Sequence, residues 1–184
     1  MISRENAIEF LNQHIQSANM IKHCLASEAV LRAIALKLNK NTEEWGMAGL
    51  LHDIDVEITG GDPLRHGLHS AVMLDGMLSA EAINAIVMHN EMASGKVRTT
   101  VFQHALAAGE TITGLIMATA LVYPDKKLAS VKTKSITKRM KEKAFAASVN
   151  RETILECELI GIPIHDFAEL SLAAMQEISD ELGF

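Results

Sequence analysis

The chain carries eight histidines, at positions 14, 23, 52, 66, 69, 89, 104 and 165. Their surroundings matter more than their number. His52 and Asp53 end the apolar run Trp45-Gly46-Met47-Ala48-Gly49-Leu50-Leu51, and His89 ends Ala85-Ile86-Val87-Met88. His23 sits within a segment of amphipathic helical pattern. Glu110 is the only charged side chain between Phe102 and Tyr123, a stretch that reads as a helix buried on all sides. A carboxylate in such a helix must be neutralised, paired or bound to a metal, and no Lys or Arg lies in that helix to pair with it. Imidazole and carboxylate without thiolate form a ligand set for Zn, Mn, Fe, Co or Ni. Helix-borne ligands that face a bundle interior are one way to build a two-metal centre.

The elements that must position these residues are helical. The chain has few aromatic residues, few β-branched runs and no Asn-Gly hairpin, so strand patterns are missing. Ser3 caps a first helix through Phe10 and Ile15, and a second runs from about Ala18 to Leu38. Asn41 and Glu44 have the spacing of a capping box, which opens a third helix ending near His52-Asp53. Gly60-Gly61-Asp62-Pro63 reads as a loop, followed by a helix from about His66 to Met77. Ser79 caps a fifth helix through Met88, and the long apolar pattern from Thr100 to Val122 predicts the central buried helix. Asn150 caps a helix that ends at Gly161, and a last amphipathic helix covers about His165 to Leu182. The expected organisation is a metal-binding core over residues 1–124 and a basic segment with C-terminal helices over 125–184, packed on the core as part of one domain.

Composition narrows the function classes. The 184 residues are 48% apolar and 22% charged, an ordinary globular mixture. The net charge of −6 argues against a general nucleic-acid coat protein, so no nucleic-acid partner is expected. From Lys126 to Lys143, however, eight basic residues face one acid, Glu142. Such a run is a solvated face, or a field that draws anionic substrates. Cys24 and Cys157 make no paired motif, which fits idle thiols in a reducing compartment. The first residues lack the apolar core of a signal peptide. The segment from Thr111 to Pro124 holds only 14 uncharged residues, short of the ~20 of a membrane span. A soluble cytoplasmic protein is expected, with no membrane partner and with a homo-oligomer compatible with the composition.

His23, the doublet in Gly49-Leu50-Leu51-His52-Asp53-Ile54-Asp55, and the acid in Ala107-Ala108-Gly109-Glu110-Thr111-Ile112-Thr113-Gly114 together resemble the HD-domain metal-dependent phosphohydrolase superfamily. The resemblance runs from about His23 to Val122. The segment from Ser135 through Glu152 is similar to the tail of small HDIG-type members. The resemblance implies an all-α HD-domain helical bundle with a small helical C-terminal extension. It also implies that His23, His52, Asp53 and Glu110 bind a first metal, with His66 and His89 completing a second site that Asp53 bridges. The implied cofactor is one or two divalent transition-metal ions: Mn, Fe, Ni, Co or Zn. The implied partner is a small phosphorylated molecule, nucleotides included. Two departures stand out: the late acid of the pattern is normally Asp where this chain has Glu110, and the doublet is followed by Ile54-Asp55 rather than Ile-Gly.

Asp53 and Asp55 are the candidate catalytic acids. Asp55 orients a ligating histidine, donates a proton, or is a solvated helix-end acid. His69, one turn after His66, is an alternative ligand ranked below it. His104 is read as structural and His14 and His165 as surface residues, while Arg98 and Arg151 are candidate phosphate contacts. The expected reaction is hydrolysis of a phosphate ester. The alternatives are a di-iron oxygenase on the same fold, and a non-catalytic regulatory module, which the Glu110 departure favours.

Overall fold

The computed structural model describes residues 2–184, and among these it contains eleven α-helices, two short 3-10 turns and no strand. The helices are α1 (Arg4–His14), α2 (Ala18–Lys37), α3 (Thr42–Leu51), α4 (Leu68–Met73), α5 (Ala80–His89) and α6 (Glu91–Ser94). They continue with α7 (Val101–Leu121), α8 (Thr133–Met140), α9 (Arg151–Leu155), α10 (Ile164–Glu177) and α11 (Ser179–Leu182).

Local chemistry sets most of the starts. Ser3, Ser17 and Ser79 each accept a backbone N–H of the first turn that follows, which satisfies one of the donors a helix start leaves open. Asn41 accepts from both Glu43 and Glu44. The reciprocal half of the expected capping box is not made there, because the Glu44 carboxylate takes the Ser79 hydroxyl instead. The full box forms at α7, where Thr100 accepts from Gln103 N and the Gln103 side chain accepts from Thr100 N.

α7 is the axis of the molecule. It packs against α2, α3, α5, α8, α9 and α10, and Phe102, Leu106, Ile112, Leu115 and Ile116 are buried along it. By length and composition α7 could cross a membrane, yet 61% of its most apolar window is buried inside the protein. Trp45 of α3 stacks on Phe102 of α7 with ring centroids 4.5 Å apart, a contact worth about 0.5–1.5 kcal/mol beyond its area. Two glycines permit close helix approach. A Cβ on Gly49 would lie 2.7 Å from the Ser27 carbonyl oxygen, and one on Gly109 would lie 2.6 Å from Leu31 Cδ2. Gly109 therefore serves the contact between α2 and α7. A buried carboxylate, Glu28, ties α1 to α2 by accepting from Arg4 Nε at 2.7 Å and Arg32 Nε at 2.9 Å.

Four segments differ from the sequence expectation, and the helix expected from Asn150 to Gly161 is one of them: α9 ends at Leu155 and gives way to the 3-10 turn Glu156–Glu158. The helix expected from His66 to Met77 is confined to α4, because Gly67 and Gly76 both take left-handed backbone and bound it. The last helix breaks at Ile178, whose φ of −111° and ψ of 21° leave the helical basin. The basic run holds a helix, α8, which buries Ile136 while its lysines stay in solvent. α10 packs on α2, α7 and α8, and its Phe167 and Met175 belong to the same apolar cluster as Leu31 and Leu50.

Candidate metal centre

Four helices and the turn before α4 deliver the six candidate ligands to one place. His23 comes from α2, His52 and Asp53 from the end of α3, His89 from the end of α5, and Glu110 from the middle of α7. His66 comes from the turn before α4. Asp53 is the hub. Its Oδ1 lies 3.3 Å from His52 Nε2, 3.1 Å from His66 Nε2 and 3.5 Å from His89 Nε2, while its Oδ2 lies 3.6 Å from His23 Nε2. Two groups that could each hold an ion result: His23, His52 and Asp53, and then Asp53, His66 and His89. Glu110 Oε2 stands 3.7 Å from His23 Nε2, at the edge of the first group.

The outer nitrogen of each ring decides its chemistry. His52 Nδ1 donates to the Gly49 carbonyl at 2.8 Å, and His89 Nδ1 donates to the Ile86 carbonyl. His66 Nδ1 donates to Asp55 Oδ1 at 2.7 Å. Carbonyl and carboxylate oxygens only accept, so these three Nδ1 atoms carry the protons. His23 Nδ1 donates to Thr113 Oγ1 at 2.9 Å, and that hydroxyl in turn donates to the Glu110 carbonyl. In each neutral ring the inward Nε2 is then a bare lone pair. Such fixing of the tautomer from outside is the usual support of a metal-ligating histidine.

The inward nitrogens face each other at short range. His23 Nε2 and His52 Nε2 are 3.2 Å apart, and His66 Nε2 and His89 Nε2 are 2.9 Å apart. Two acceptors at that distance repel unless a cation or a proton lies between them. Ligands about 2.1 Å from one ion stand about 3.0 Å apart in six-coordinate geometry and about 3.4 Å apart in four-coordinate geometry. One observed spacing lies within that range and the other about 0.1 Å below it, so the donor set fits a metal.

Electrostatics agree with a site built for positive charge. Burial drives the His52 pKa down to about 3, which keeps this ring neutral. Burial also opposes charge on His66, but its hydrogen bonds to Asp53 and Asp55 prevail and lift it to about 10, so without metal this ring also carries a proton on Nε2, which a bound ion would displace. Desolvation acts to raise the Asp53 pKa, yet the surrounding imidazoles hold it well below the ordinary carboxylate range. Glu110 is shifted up by burial.

Several expectations change on contact with the structure. Glu110 is not enclosed on all sides: its side chain is 18% exposed and faces an open cleft. Asp55 is neither solvated nor directed at a reacting group. It is fully buried and accepts from Gly67 N at 2.8 Å, Ser70 N at 2.9 Å and His66, so it is a positioning residue. Arg98 is not free for phosphate. Its Nε and Nη2 bind Glu156 at 2.7 and 2.6 Å, and its Nη1 donates to the Met88 and His89 carbonyls. The Arg151 Nη1 and Nη2 donate to the Glu142, Phe145, Ala146 and Val149 carbonyls, and its Nε is buried. His69 lies outside both ligand groups, and His104 pairs with Glu156 at 2.7 Å. Thr113 escaped the sequence reading; its place three residues after Glu110, on the same helix face, is the signal that could have found it.

A cleft of about 340 Å³ opens on the cluster and is lined by His23, His89, Glu110 and Thr111 together with Ser148, Val149, Asn150 and Thr153. A larger cavity of about 680 Å³ lies between α2 and α10 and holds none of these residues. Candidate ligands line only the smaller of the two.

The family model for the HD domain matches residues 20–122, more than half of the chain, and spans the elements that bear all six candidate ligands. The chain belongs to the HD domain family. No curated protein and no solved structure matches it. Within the HD domain of this chain, the His52-Asp53 doublet supplies one imidazole and the hub carboxylate.

Proposed function

We propose that this HD domain protein is a metal-dependent phosphohydrolase that releases phosphate from a small phosphate ester. His23, His52, Asp53 and Glu110 hold one divalent transition-metal ion. His66 and His89 hold a second, and Asp53 is shared. What carries this reading is the arrangement of the imidazoles: four Nε2 atoms converge on Asp53 while every Nδ1 is tied to an acceptor. Bound transition metal supplies a water whose pKa falls to about 7 and neutralises charge on phosphate oxygens.

The chain's own residues do the rest. Asp55 holds His66 in its tautomer, and Thr113 does the same for His23. The cleft walls keep an ester against the cluster. Hydrolysis forms a bond from a water oxygen to phosphorus, breaks the bond from phosphorus to the ester oxygen, and passes one proton of the water to that oxygen, which leaves an alcohol and inorganic phosphate.

Elemental analysis of the purified protein, with phosphate release followed under anaerobic conditions, tests this reading. One or two Mn, Fe, Ni, Co or Zn ions and turnover of phosphate esters are expected. His52→Ala and Asp53→Ala should abolish both metal and turnover. Two bound irons with oxygen consumption and no phosphate release would replace the proposal by an oxygenase.

A further inference from the structure

The cleft beside the cluster has two walls of different origin. One carries His23, His89 and Glu110, all inside the family-matched residues 20–122. The other is built by Ser148, Val149, Asn150 and Thr153, outside that match. Nothing in the ligand geometry demands this second wall, so its chemistry is free to serve another purpose.

The wall is firmly held. Arg151 gathers the carbonyls of residues 142, 145, 146 and 149 around one guanidinium, with Ala146 and Val149 each at 2.6 Å. Val149 Cγ2 sits only 3.3 Å from where a Cβ on Gly114 would be, one helical turn beyond Glu110. Glu156, just after α9, is clamped by Arg98, which also donates to the His89 carbonyl. The wall and the ligand-bearing helices are therefore one framework.

What the wall offers is neutral. Ser148 and Thr153, both of which line the cleft, carry hydroxyl side chains. Asn150 Oδ1 is occupied by the backbone N–H groups of Glu152 and Thr153, so the two N–H bonds of its Nδ2 are what it has left to give. Among the lining residues there is no Lys or Arg, and no Phe, Tyr or Trp on which a nucleobase could stack. Further phosphate groups would meet Glu110 without a compensating side-chain cation. The volume of about 340 Å³ lies near the lower bound of about 300–1,000 Å³ for small-molecule pockets.

We propose that Ser148, Asn150 and Thr153 select the substrate, and that it is the monophosphate of a small polyhydroxylated carbon skeleton. Its phosphate lies at the His/Asp cluster and its hydroxyls lie against this wall. The proposal rests on the phosphohydrolase reading above and narrows it to a substrate class.

The test uses the full-length, metal-loaded protein. Calorimetric titrations with inorganic phosphate, glucose 6-phosphate, AMP and ATP are run alongside hydrolysis of the three esters. Glucose 6-phosphate should bind about tenfold more tightly than inorganic phosphate, the gain of one or two net hydrogen bonds, and more tightly than either nucleotide. The double variant Ser148→Ala/Thr153→Val should lose most of that preference while keeping its metal content, and Thr153→Ser should keep the preference. Tighter binding of AMP or ATP, or a double variant with undiminished preference, overturns the substrate class while phosphate turnover stands. A metal-loaded protein that neither binds phosphate nor cleaves any ester overturns the phosphohydrolase reading and this inference with it.

Discussion

His66 bridges two aspartates: its Nδ1 donates to Asp55 Oδ1 at 2.7 Å, while its Nε2 lies 3.1 Å from Asp53 Oδ1. One imidazole thus carries the influence of a buried acid, which touches no open space, to the hub of the cluster. Replacing Asp55 by Asn keeps the shape but removes the charge that fixes the ring. Asp55→Asn should weaken metal binding about 10- to 100-fold, measured by competition with a chelator, and excess metal should restore part of the activity. An unaltered metal affinity would deny Asp55 its positioning role.

Glu110 is the ligand that stands farthest from its neighbours, 3.7 Å from His23 Nε2. Glu110→Ala should lose metal from the group that contains His23 and His52, as read by elemental analysis. Glu110→Gln keeps the length but not the charge and should bind metal much more weakly. Glu110→Asp should retain metal and part of the activity. A structure of the metal-loaded protein with Glu110 away from the ion would remove it from the ligand set.

Arg98 and Glu156 form a part-buried ion pair, with side chains 7% and 17% exposed. Removing one partner of such a pair strands the other, at a cost of about 3–5 kcal/mol. Arg98→Met should lower the thermal midpoint strongly, whereas loss of a phosphate contact alone would raise KM and leave the midpoint in place. Burial acts to raise the Glu156 pKa, but hydrogen bonds from Arg98 and His104 outweigh it and hold it below the usual carboxylate range. Its contribution to stability is therefore full above the unfolded carboxylate pKa, about 4.3, and disappears as pH falls through the lower folded value. Chemical denaturation at a series of acid pH values should show that loss in the wild type and a smaller one in Glu156→Gln.

Gly49 sits where α3 meets the backbone of α2, and its carbonyl accepts the His52 Nδ1–H. Gly49→Ala would place a methyl group 2.7 Å from the Ser27 carbonyl oxygen, and backbone does not yield cheaply. A destabilisation of about 1–3 kcal/mol is expected from overpacking. Because the same residue orients His52, metal content should fall as well. A melting curve and an elemental analysis that both match the wild type would contradict this.

The residues of the chain are enough to set where most helices begin and which groups are suited to bind a metal. Ser3, Asn41, Ser79 and Asn150 act within three residues of themselves, so their caps can be read without a fold. The apolar pattern of residues 101–121 likewise marks α7 as the central helix, since periodicity is a local property. Tertiary structure alone decided the partners of the long side chains. Arg98 meets Glu156 across 58 positions, and Asp55 meets Ser70 N across 15. No local rule connects such pairs, so two arginines that looked available for phosphate prove to be bound to protein oxygens. The same holds for the choice between His66 and His69. The two lie about one turn apart after the same loop, but the contact with Asp55 orients His66, and only packing brings the end of α5 close enough for its ring to meet His89.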